Sequence, residues 1–300
     1  MPAEIQERED ELRSELKIRG LETVKSQLSR IISESVCAET RKKVDKLRPD
    51  LTVLVNVGTS AVELQARPLF IHGRYGKPRG IPQRRYFCMN CNGRGCHQCK
   101  GTGYVLTPSV ESVAGSKLCK LMGADRARFS WFGSEDPDSL VLPPGRPFVV
   151  ELKNPRKRTP PRRLNLITGK GILRLSGLRA LADRPAKLPS FVFMTRVFMK
   201  APVKIAKDEV KKLGKIRGAT ITFDNGRGRV VHKKVYSIRR TKARGTRIIS
   251  EIKMDGGLPI KRLVSGEDVS PSISELLKTP LECEGFDILR VWERGEFQFG

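Results

Sequence analysis

The sequence lacks any run of about 18 consecutive apolar residues, so no membrane-spanning helix is expected. Residues 1–7 are polar, so a secretory signal segment is not expected either. Acidic residues are scarce: 32 Asp and Glu stand against 58 Lys and Arg, which gives a formal charge of +26. Such an imbalance favours polyanionic partners, either nucleic acid or an anionic membrane. We therefore expect a cytoplasmic protein that binds RNA or DNA; the alternative is that the charge only keeps a basic protein soluble.

The cysteines do not suggest a disulfide framework, because their number, seven, is odd and four of them lie close together. The pattern C-x-x-C-x-G-x-G occurs twice in succession, beginning at Cys88 and Cys96, and its second cysteines are Cys91 and Cys99. Two such turns can close a tetrahedral site of four thiolates, which suits zinc and leaves no position for a reactive water. The prediction is a structural zinc. Cochaperone zinc domains use similar repeats, so the motif alone does not name a family.

Three carboxylates, Glu135, Asp136 and Asp138, fall within four residues of each other. The aromatic segment 129–132 precedes them and the apolar segment 148–152 follows them. Because Asp and Glu are rarely buried unless they are paired, this stretch is either a solvated turn or a functional site. Residue types alone favour the turn, and the basic character of the chain makes the site hypothesis stronger.

Two basic segments accompany the carboxylates. Residues 74–85 combine Arg and Lys with Tyr, Gly and Pro, so we expect an irregular loop that contacts phosphates and stacks on bases, with a flexible linker as the alternative. Residues 153–163 are predicted to form a phosphate-binding arm, with a solvated loop as the alternative. The residues that we expect to bind RNA are Arg74, Tyr75, Lys77, Arg79, Arg146, Arg156, Lys157, Arg158 and Lys234.

The rest of the pattern predicts an α+β fold with a mixed, largely antiparallel sheet. A helical stripe begins at Leu21, and a second helix is expected from Ser109, as N-cap, to Met122. A short helix is expected over 207–213, and a turn followed by a strand over 256–263. The clearest predicted strands are 51–57, 148–152, 191–199, 219–223, 228–238, 246–254 and 286–292.

Several segments resemble, in the same order, the archaeal and eukaryotic tRNA pseudouridine synthases that act on uridines 54 and 55 of the TΨC arm. These segments are 67–83, the cysteine cluster with Gly103 and 109–111, 133–155, 234–236 and 256–277. The resemblance implies a pseudouridine synthase-like catalytic domain over 73–300, with a zinc knuckle at 86–104. It also implies that 1–72 form a truncated THUMP-like accessory RNA-binding α/β unit. The implied partner is tRNA, the implied cofactor is structural zinc without an organic cofactor, and we expect a monomer without membrane contact.

Carried over by position, Asp136 matches the family's catalytic aspartate and Tyr236 its active-site tyrosine. Lys261 matches the basic residue that pairs with that aspartate in related synthases. Two positions depart from the family pattern: Ser134 stands where an Arg is usual, and Pro259 where a Tyr is frequent.

Because Ser134 removes a guanidinium partner of Asp136, we expect Arg146 or Lys261 to serve instead. The reaction that the resemblance implies breaks a C–N glycosidic bond and forms a C–C bond without redox chemistry, metal or ATP. Attack on the ribose, attack on the base and proton abstraction all remain open for Asp136. The uridine has to be flipped out of the folded arm, and Tyr236 is the expected stacking partner. The alternative is a catalytically inactive zinc-containing tRNA-binding paralogue.

Overall fold

The computed structural model describes residues 2–226, 228–295 and 297–299. It divides the chain into two compact units, Met1–Pro68 and Leu69–Gly300. The elements of the first unit are α1 (Ala3–Glu15), α2 (Val24–Thr40), β1 (Leu51–Asn56) and β2 (Ala61–Ala66). Helix α2 begins after Thr23, whose hydroxyl accepts a hydrogen bond from the Ser26 amide and so caps the first turn. The predicted helix and first strand of this unit are confirmed.

The second unit contains most of the chain. Its helices are α3 (Val110–Met122), α4 (Lys207–Lys211), α5 (Ile260–Ser265) and α6 (Ile273–Leu277), and a 3₁₀ turn spans Lys212–Ile216. Its strands are β3 (Leu69–Lys77), β4 (Arg126–Trp131), β5 (Val141–Lys153), β6 (Arg163–Thr168), β7 (Gly171–Leu181), β8 (Pro185–Lys187), β9 (Ser190–Lys200), β10 (Thr220–Asp224), β11 (Val230–Arg244), β12 (Arg247–Asp255), β13 (Val269–Ser270), β14 (Glu282–Arg294) and β15 (Gln298–Phe299). Among the described residues, no helix is both long enough and apolar enough to cross a membrane.

Eleven of these strands form one sheet. Ten follow the order β13-β10-β11-β12-β9-β14-β5-β3-β7-β6, and the eleventh, β4, pairs with residues 148–153 of β5. Strands β14 and β5 run parallel, and the other pairs are antiparallel. The fold is therefore α+β with a mixed, largely antiparallel sheet, as predicted. Strand β9 lies between β12 and β14 and alternates: Val197 and Met199 are buried, whereas Arg196 and Phe198 are partly exposed on the other face.

Helix α3 confirms the predicted start at Ser109. The Ser109 hydroxyl accepts from the Ser112 amide, and the Ser112 hydroxyl accepts from the Ser109 amide, so two amides of the first turn are satisfied. Ala114 and Leu118, which lie four residues apart on one face of the helix, are fully buried in the core. The helix ends at Gly123 in the left-handed conformation, which a side chain adopts only with strain.

Two local predictions are wrong. The first part of the expected loop 74–85 is strand β3, because Gly73 and Gly76 serve close packing instead of turns. A Cβ at Gly73 would lie 2.4 Å from the Leu178 side chain, and one at Gly76 would lie 3.1 Å from the Val141 carbonyl oxygen. The strand expected within 256–263 is helix α5, for which Pro259 is the N-cap residue.

Candidate active site and metal centre

The carboxylate segment 132–140 connects β4 to β5, and a buried lysine holds its backbone. Lys77, at the end of β3, donates from Nζ to the carbonyl oxygens of Asp136 (3.3 Å), Pro137 (2.9 Å) and Ser139 (2.7 Å). The Lys77 side chain is fully buried, and this burial lowers its pKa. Three bonds from one ammonium group fix the backbone on both sides of Pro137, so the direction of the Asp136 side chain is set by β3.

A second buried cation holds the start of the same segment. Arg146 donates to the carbonyl oxygens of Phe132 and Ser134 and forms an ion pair of 2.8 Å with Glu135 Oε2. The other oxygen of Glu135 lies 3.8 Å from Lys77 Nζ, and all three charged side chains are buried. Glu135 therefore serves as the counter-charge of two internal cations. The sequence analysis named Arg146 as a possible partner of Asp136, but in the structure Arg146 pairs with Glu135.

Asp136 differs from its two neighbours because its carboxylate faces outward beside a cation. Its Oδ1 lies 3.2 Å from Lys261 Nζ, and the two side chains are 33% and 60% exposed. Lys261 lies in the first turn of helix α5, two residues after Pro259, which stands where the family often has a Tyr. Asp138 has an exposed side chain and contributes only its carbonyl oxygen to a hydrogen bond with Arg79. Among the described residues, Asp136 is thus the carboxylate of this segment that both faces outward and forms an ion pair through its side chain.

Asp136 and Lys261 line a cleft of about 650 Å³. The other lining residues are Arg79, Pro137, Asp138, Ser139, Phe198, Met199, Arg247, Ile248, Ile249, Glu284, Gly285 and Phe286. Phe198 and Ile249 are cross-strand neighbours on β9 and β12 and give the cleft a partly exposed apolar wall. A cleft with an apolar wall and a few converging polar groups is the usual form of a small-molecule or nucleoside site.

Arg79 forms one rim of this cleft. Its guanidinium group contacts Asp287 at 2.6 Å, donates to the Asp138 carbonyl at 2.8 Å and lies 5.8 Å from the centre of the Phe198 ring. The buried Asp287 also accepts a hydrogen bond from the Leu140 amide, so the two residues connect the carboxylate segment to β14. The Arg79 side chain remains half exposed. It is the residue of segment 74–85 that the structure places at the cleft.

Three other residues expected to contact RNA are in the wrong place for that role. Tyr75, Lys77 and Arg146 are buried, so they cannot stack on a base or contact a phosphate. The Tyr75 hydroxyl accepts a hydrogen bond from Gln83, and burial raises its pKa well above the ordinary value. The fourth, Arg74, pairs with Glu293 and donates to two backbone carbonyls, so its guanidinium group is used inside the fold.

The remaining candidates lie at the surface. Arg156 and Lys157 are exposed, and their backbone amides both donate to the Met122 carbonyl at the end of α3, which anchors the predicted arm. Arg158 follows them and is partly exposed. Lys234 is exposed on β11, with Nζ 5.9 Å from the centre of the Tyr236 ring.

Tyr236 is not among the residues that line the cleft. Its hydroxyl donates to Asp255 at 2.6 Å and accepts from Arg294 at 2.7 Å, so it belongs to a separate polar cluster. Partial burial, together with the bond to Asp255, raises its pKa. Two aromatic residues line the cleft together with Asp136, the buried Phe286 and the partly exposed Phe198. The sequence reasoning missed the functional position of Phe198. Its signal was the alternation along β9, which sets Phe198 on the face opposite to the core.

The four predicted metal ligands come together. The Sγ atoms of Cys88, Cys91, Cys96 and Cys99 all lie within 4.8 Å of one another. Three of the sulfur–sulfur distances are 3.7 or 3.8 Å. A tetrahedral zinc with Zn–S bonds of about 2.3 Å requires sulfur–sulfur separations of about 3.8 Å. The cluster therefore has the dimensions of a four-thiolate zinc site.

The backbone around these cysteines is shaped for thiolates. The amides of Gly95 and Gly103 donate to Cys91 Sγ and Cys99 Sγ at 3.3 and 3.2 Å. A Cβ at Gly95 would lie 2.7 Å from the Gly101 carbonyl oxygen, and one at Gly103 would lie 2.4 Å from that of Gly93. The two repeats thus pack backbone against backbone, which explains why each needs its final glycine.

Comparisons with known proteins agree over most of the chain. A family model described as the Pus10 C-terminal domain matches residues 70–170, and one described as the archaeal Pus10 THUMP domain matches residues 1–56. The tRNA pseudouridine synthase Pus10 of Nitrosopumilus maritimus is 33% identical over 283 residues, which cover 94% of this chain and 73% of that protein. The protein of the same name from Cenarchaeum symbiosum is 34% identical over 291 residues, which cover 96% and 72%.

A solved structure, that of a Cbf5-Nop10-Gar1 complex, also shows similarity. It matches with a TM-score of 0.40 and 15% identity, over 74% of this chain and 48% of the solved one. A TM-score at this level does not by itself establish a common fold.

Proposed function

The chain belongs to the Pus10 family of tRNA pseudouridine synthases, and we propose that it isomerises uridine 54, uridine 55 or both in the TΨC arm of tRNA with Asp136 as the catalytic aspartate. The observation that carries this proposal is the ion pair of 3.2 Å between Asp136 and Lys261 inside an open cleft. The family's chemistry requires a carboxylate that can reach the reacting nucleoside. Glu135 is buried between two cations, and Asp138 lines the same cleft, so what distinguishes Asp136 is its ion pair with Lys261.

The cleft suits a nucleoside that has been flipped out of a folded RNA arm. Its volume of about 650 Å³ lies within the range of small-ligand sites. We assign the base to the face of Phe198, because a flipped base is held by stacking as well as by hydrogen bonds. Asp136 then acts at the sugar or the base, and Lys261 compensates charge that changes on the Asp136 carboxylate. Arg79, at the rim, is available to a phosphate of the same strand.

The cysteine cluster supports a structural role for zinc. Four thiolates at tetrahedral spacing would complete the coordination of the ion, so the ion would tie the knuckle together and take no part in the reaction. The bridge between Phe87 and Tyr104 closes this segment, and Arg85 lies 4.2 Å from the centre of the Tyr104 ring. The knuckle thereby gains a cationic edge that can face RNA.

We assign accessory RNA binding to the amino-terminal unit and to the arm that carries Arg156, Lys157 and Arg158. The family match over residues 1–56 and the exposure of the arm's cations support this assignment. A tRNA substrate is consistent with a cytoplasmic protein. A monomer remains our expectation.

Two isosteric variants test the assignment of Asp136. In Asp136→Asn we expect pseudouridine formation in an unmodified tRNA transcript to fall by at least about 1,000-fold, because the amide is a poor nucleophile and base, whereas tRNA binding persists. Asp138→Asn is the matched control, with the same change two residues away, and should retain activity. Equal losses in both variants, or full activity of Asp136→Asn, would remove Asp136 from the mechanism. Binding without turnover by the wild type would indicate the inactive paralogue.

A further inference from the structure

Strand β11 contains an irregularity beside the cleft. In the backbone register, Arg239 lies opposite Glu251 of β12, and the next pair of opposite residues is Lys242 and Ile249. Strand β11 therefore has one residue more than β12 in this interval. Within it, Arg240 has a φ of 53°, in the left-handed region. Consecutive residues of a regular strand face opposite sides of the sheet. The bulge breaks this alternation, and the guanidinium groups of Arg239 and Arg240 both reach Glu251.

Glu251 is the centre of an arginine cluster, which we define as Arg196, Arg239 and Arg240 around this carboxylate. The distances to its oxygens are 3.0 Å from Arg196, 3.4 Å from Arg240 and 3.8 Å from Arg239. Glu251 is buried, whereas the three arginine side chains are 42%, 70% and 56% exposed in the order just given. One carboxylate therefore orients three guanidinium groups whose remaining N–H donors face solvent.

The cluster carries an excess of two positive charges, since three guanidinium groups stand against one carboxylate. On the other side of β9, the buried Asp287 is the β14 residue opposite Arg196, and its carboxylate is already paired with Arg79. Arginine groups fixed in this way match the geometry of a phosphate, which accepts several N–H bonds at once. Bulges of this kind frequently redirect side chains next to functional sites.

We propose that the arginine cluster binds a backbone phosphate of the RNA substrate next to the nucleotide that enters the cleft. This inference rests on the proposed function. Arg196 and Phe198 are two residues apart on the same face of β9, and Glu251 and Ile249 have the same relation on β12, so the cluster lies about 7 Å from the apolar wall of the cleft. This separation leaves room for a phosphate that flanks the nucleotide in the cleft to reach the arginine cluster.

The test measures equilibrium tRNA binding, not turnover, in the Asp136→Asn background, so its outcome can be distinguished from the activity assay that tests Asp136. The double variant Arg239→Gln/Arg240→Gln should weaken binding about 10-fold at physiological salt, because charge-assisted bonds are lost. The slope of log K against log salt should fall by about one. The control is Arg174→Gln/Arg184→Gln, which removes the same charge from two exposed arginines, one on β7 and one in the connection that follows it. Equal changes in both double variants would overturn the proposal.

Glu251→Gln separates orientation from charge. This variant makes the surface more positive, so an unspecific electrostatic effect predicts tighter tRNA binding. If Glu251 orients the arginines, binding weakens in spite of the added charge, by about 3- to 10-fold on the scale of one net hydrogen bond. Tighter binding by a folded Glu251→Gln protein would contradict the proposal. If Glu251→Gln does not fold, the double variant Arg239→Gln/Arg240→Gln still tests the proposal, because both arginine side chains are exposed.

Discussion

The buried amino group of Lys77 offers a sharp test of how the carboxylate segment is held. Lys77→Met keeps most of the side-chain volume and removes three hydrogen bonds to the carbonyls of Asp136, Pro137 and Ser139. Two of these carbonyls keep another partner: Asp136 O accepts from the Ser139 amide, and Pro137 O accepts from the Gly80 amide. Within the part of the chain that the structure describes, Lys77 is the partner of the Ser139 carbonyl oxygen, so this carbonyl loses its hydrogen bond in the variant.

The stability cost should therefore be moderate. One buried carbonyl without a partner destabilises the folded state by about 1–3 kcal/mol. The variant offsets part of this loss, because it no longer has to bury a charged ammonium group. Glu135 keeps its ion pair with Arg146, so no unpaired buried charge is created. We expect the free energy of unfolding to fall by about 1–3 kcal/mol. Activity should fall further, by about 100-fold, because a shift of about 1 Å at a reacting group can have this effect.

The assay compares single-turnover pseudouridine formation with the unfolding free energy, at a temperature where both proteins are fully folded. Lys170→Met is the matched control, since Lys170 is exposed and lies outside the cleft. A loss of kcat with nearly unchanged tRNA binding would identify Lys77 as a positioning residue. If folded Lys77→Met protein turns over at the wild-type rate, Lys77 contributes only to stability and the positioning role is refuted.

Three further outcomes are expected. Chelation, or Cys88→Ser with Cys91→Ser, should unfold the knuckle and weaken tRNA binding, because structural zinc contributes on the order of 10 kcal/mol; unchanged melting after verified zinc loss would contradict this. Phe198→Ala should reduce turnover about 10-fold through lost stacking, whereas Tyr236→Phe should have little effect; the reverse order would restore Tyr236 to the site. Burial lowers the pKa of His72 to about 4. As pH falls below about 6.5, the unfolded chain therefore binds a proton at His72 before the folded chain does. This difference should lower the free energy of unfolding by about 3 kcal/mol between pH 6.5 and 4. In His72→Phe the melting temperature should depend less on pH over this range.

Much of the fold and part of the site could be predicted because their signals are local. The cap at Ser109, the strand over 191–199 and the spacing of four cysteines each depend on neighbouring residues, and each prediction agrees with the structure. The pairing of Lys261 with Asp136 came from a family resemblance, and the structure places the two charges 3.2 Å apart.

The errors arose where an exposed role was inferred from residue type. Arg, Lys and Tyr in a glycine-rich segment suggested an RNA-binding loop, yet β3 directs Tyr75 and Lys77 into the interior. The buried lysine is stabilised there by Glu135 and by the carbonyls of Asp136, Pro137 and Ser139, and no local pattern reveals such distant partners. Phe198 was missed for a related reason: periodicity shows that a strand has two faces but does not show which one borders the cleft.

The central claim is that the cleft of Asp136 and Lys261 isomerises a uridine of the TΨC arm. Its most direct test is nucleotide-resolution mapping of pseudouridine in an unmodified tRNA transcript, after incubation with wild type and with Asp136→Asn in parallel. The mechanism predicts pseudouridine at position 54, 55 or both with the wild type and none with the variant. Pseudouridine elsewhere in the tRNA, or the same product from both proteins, would contradict it.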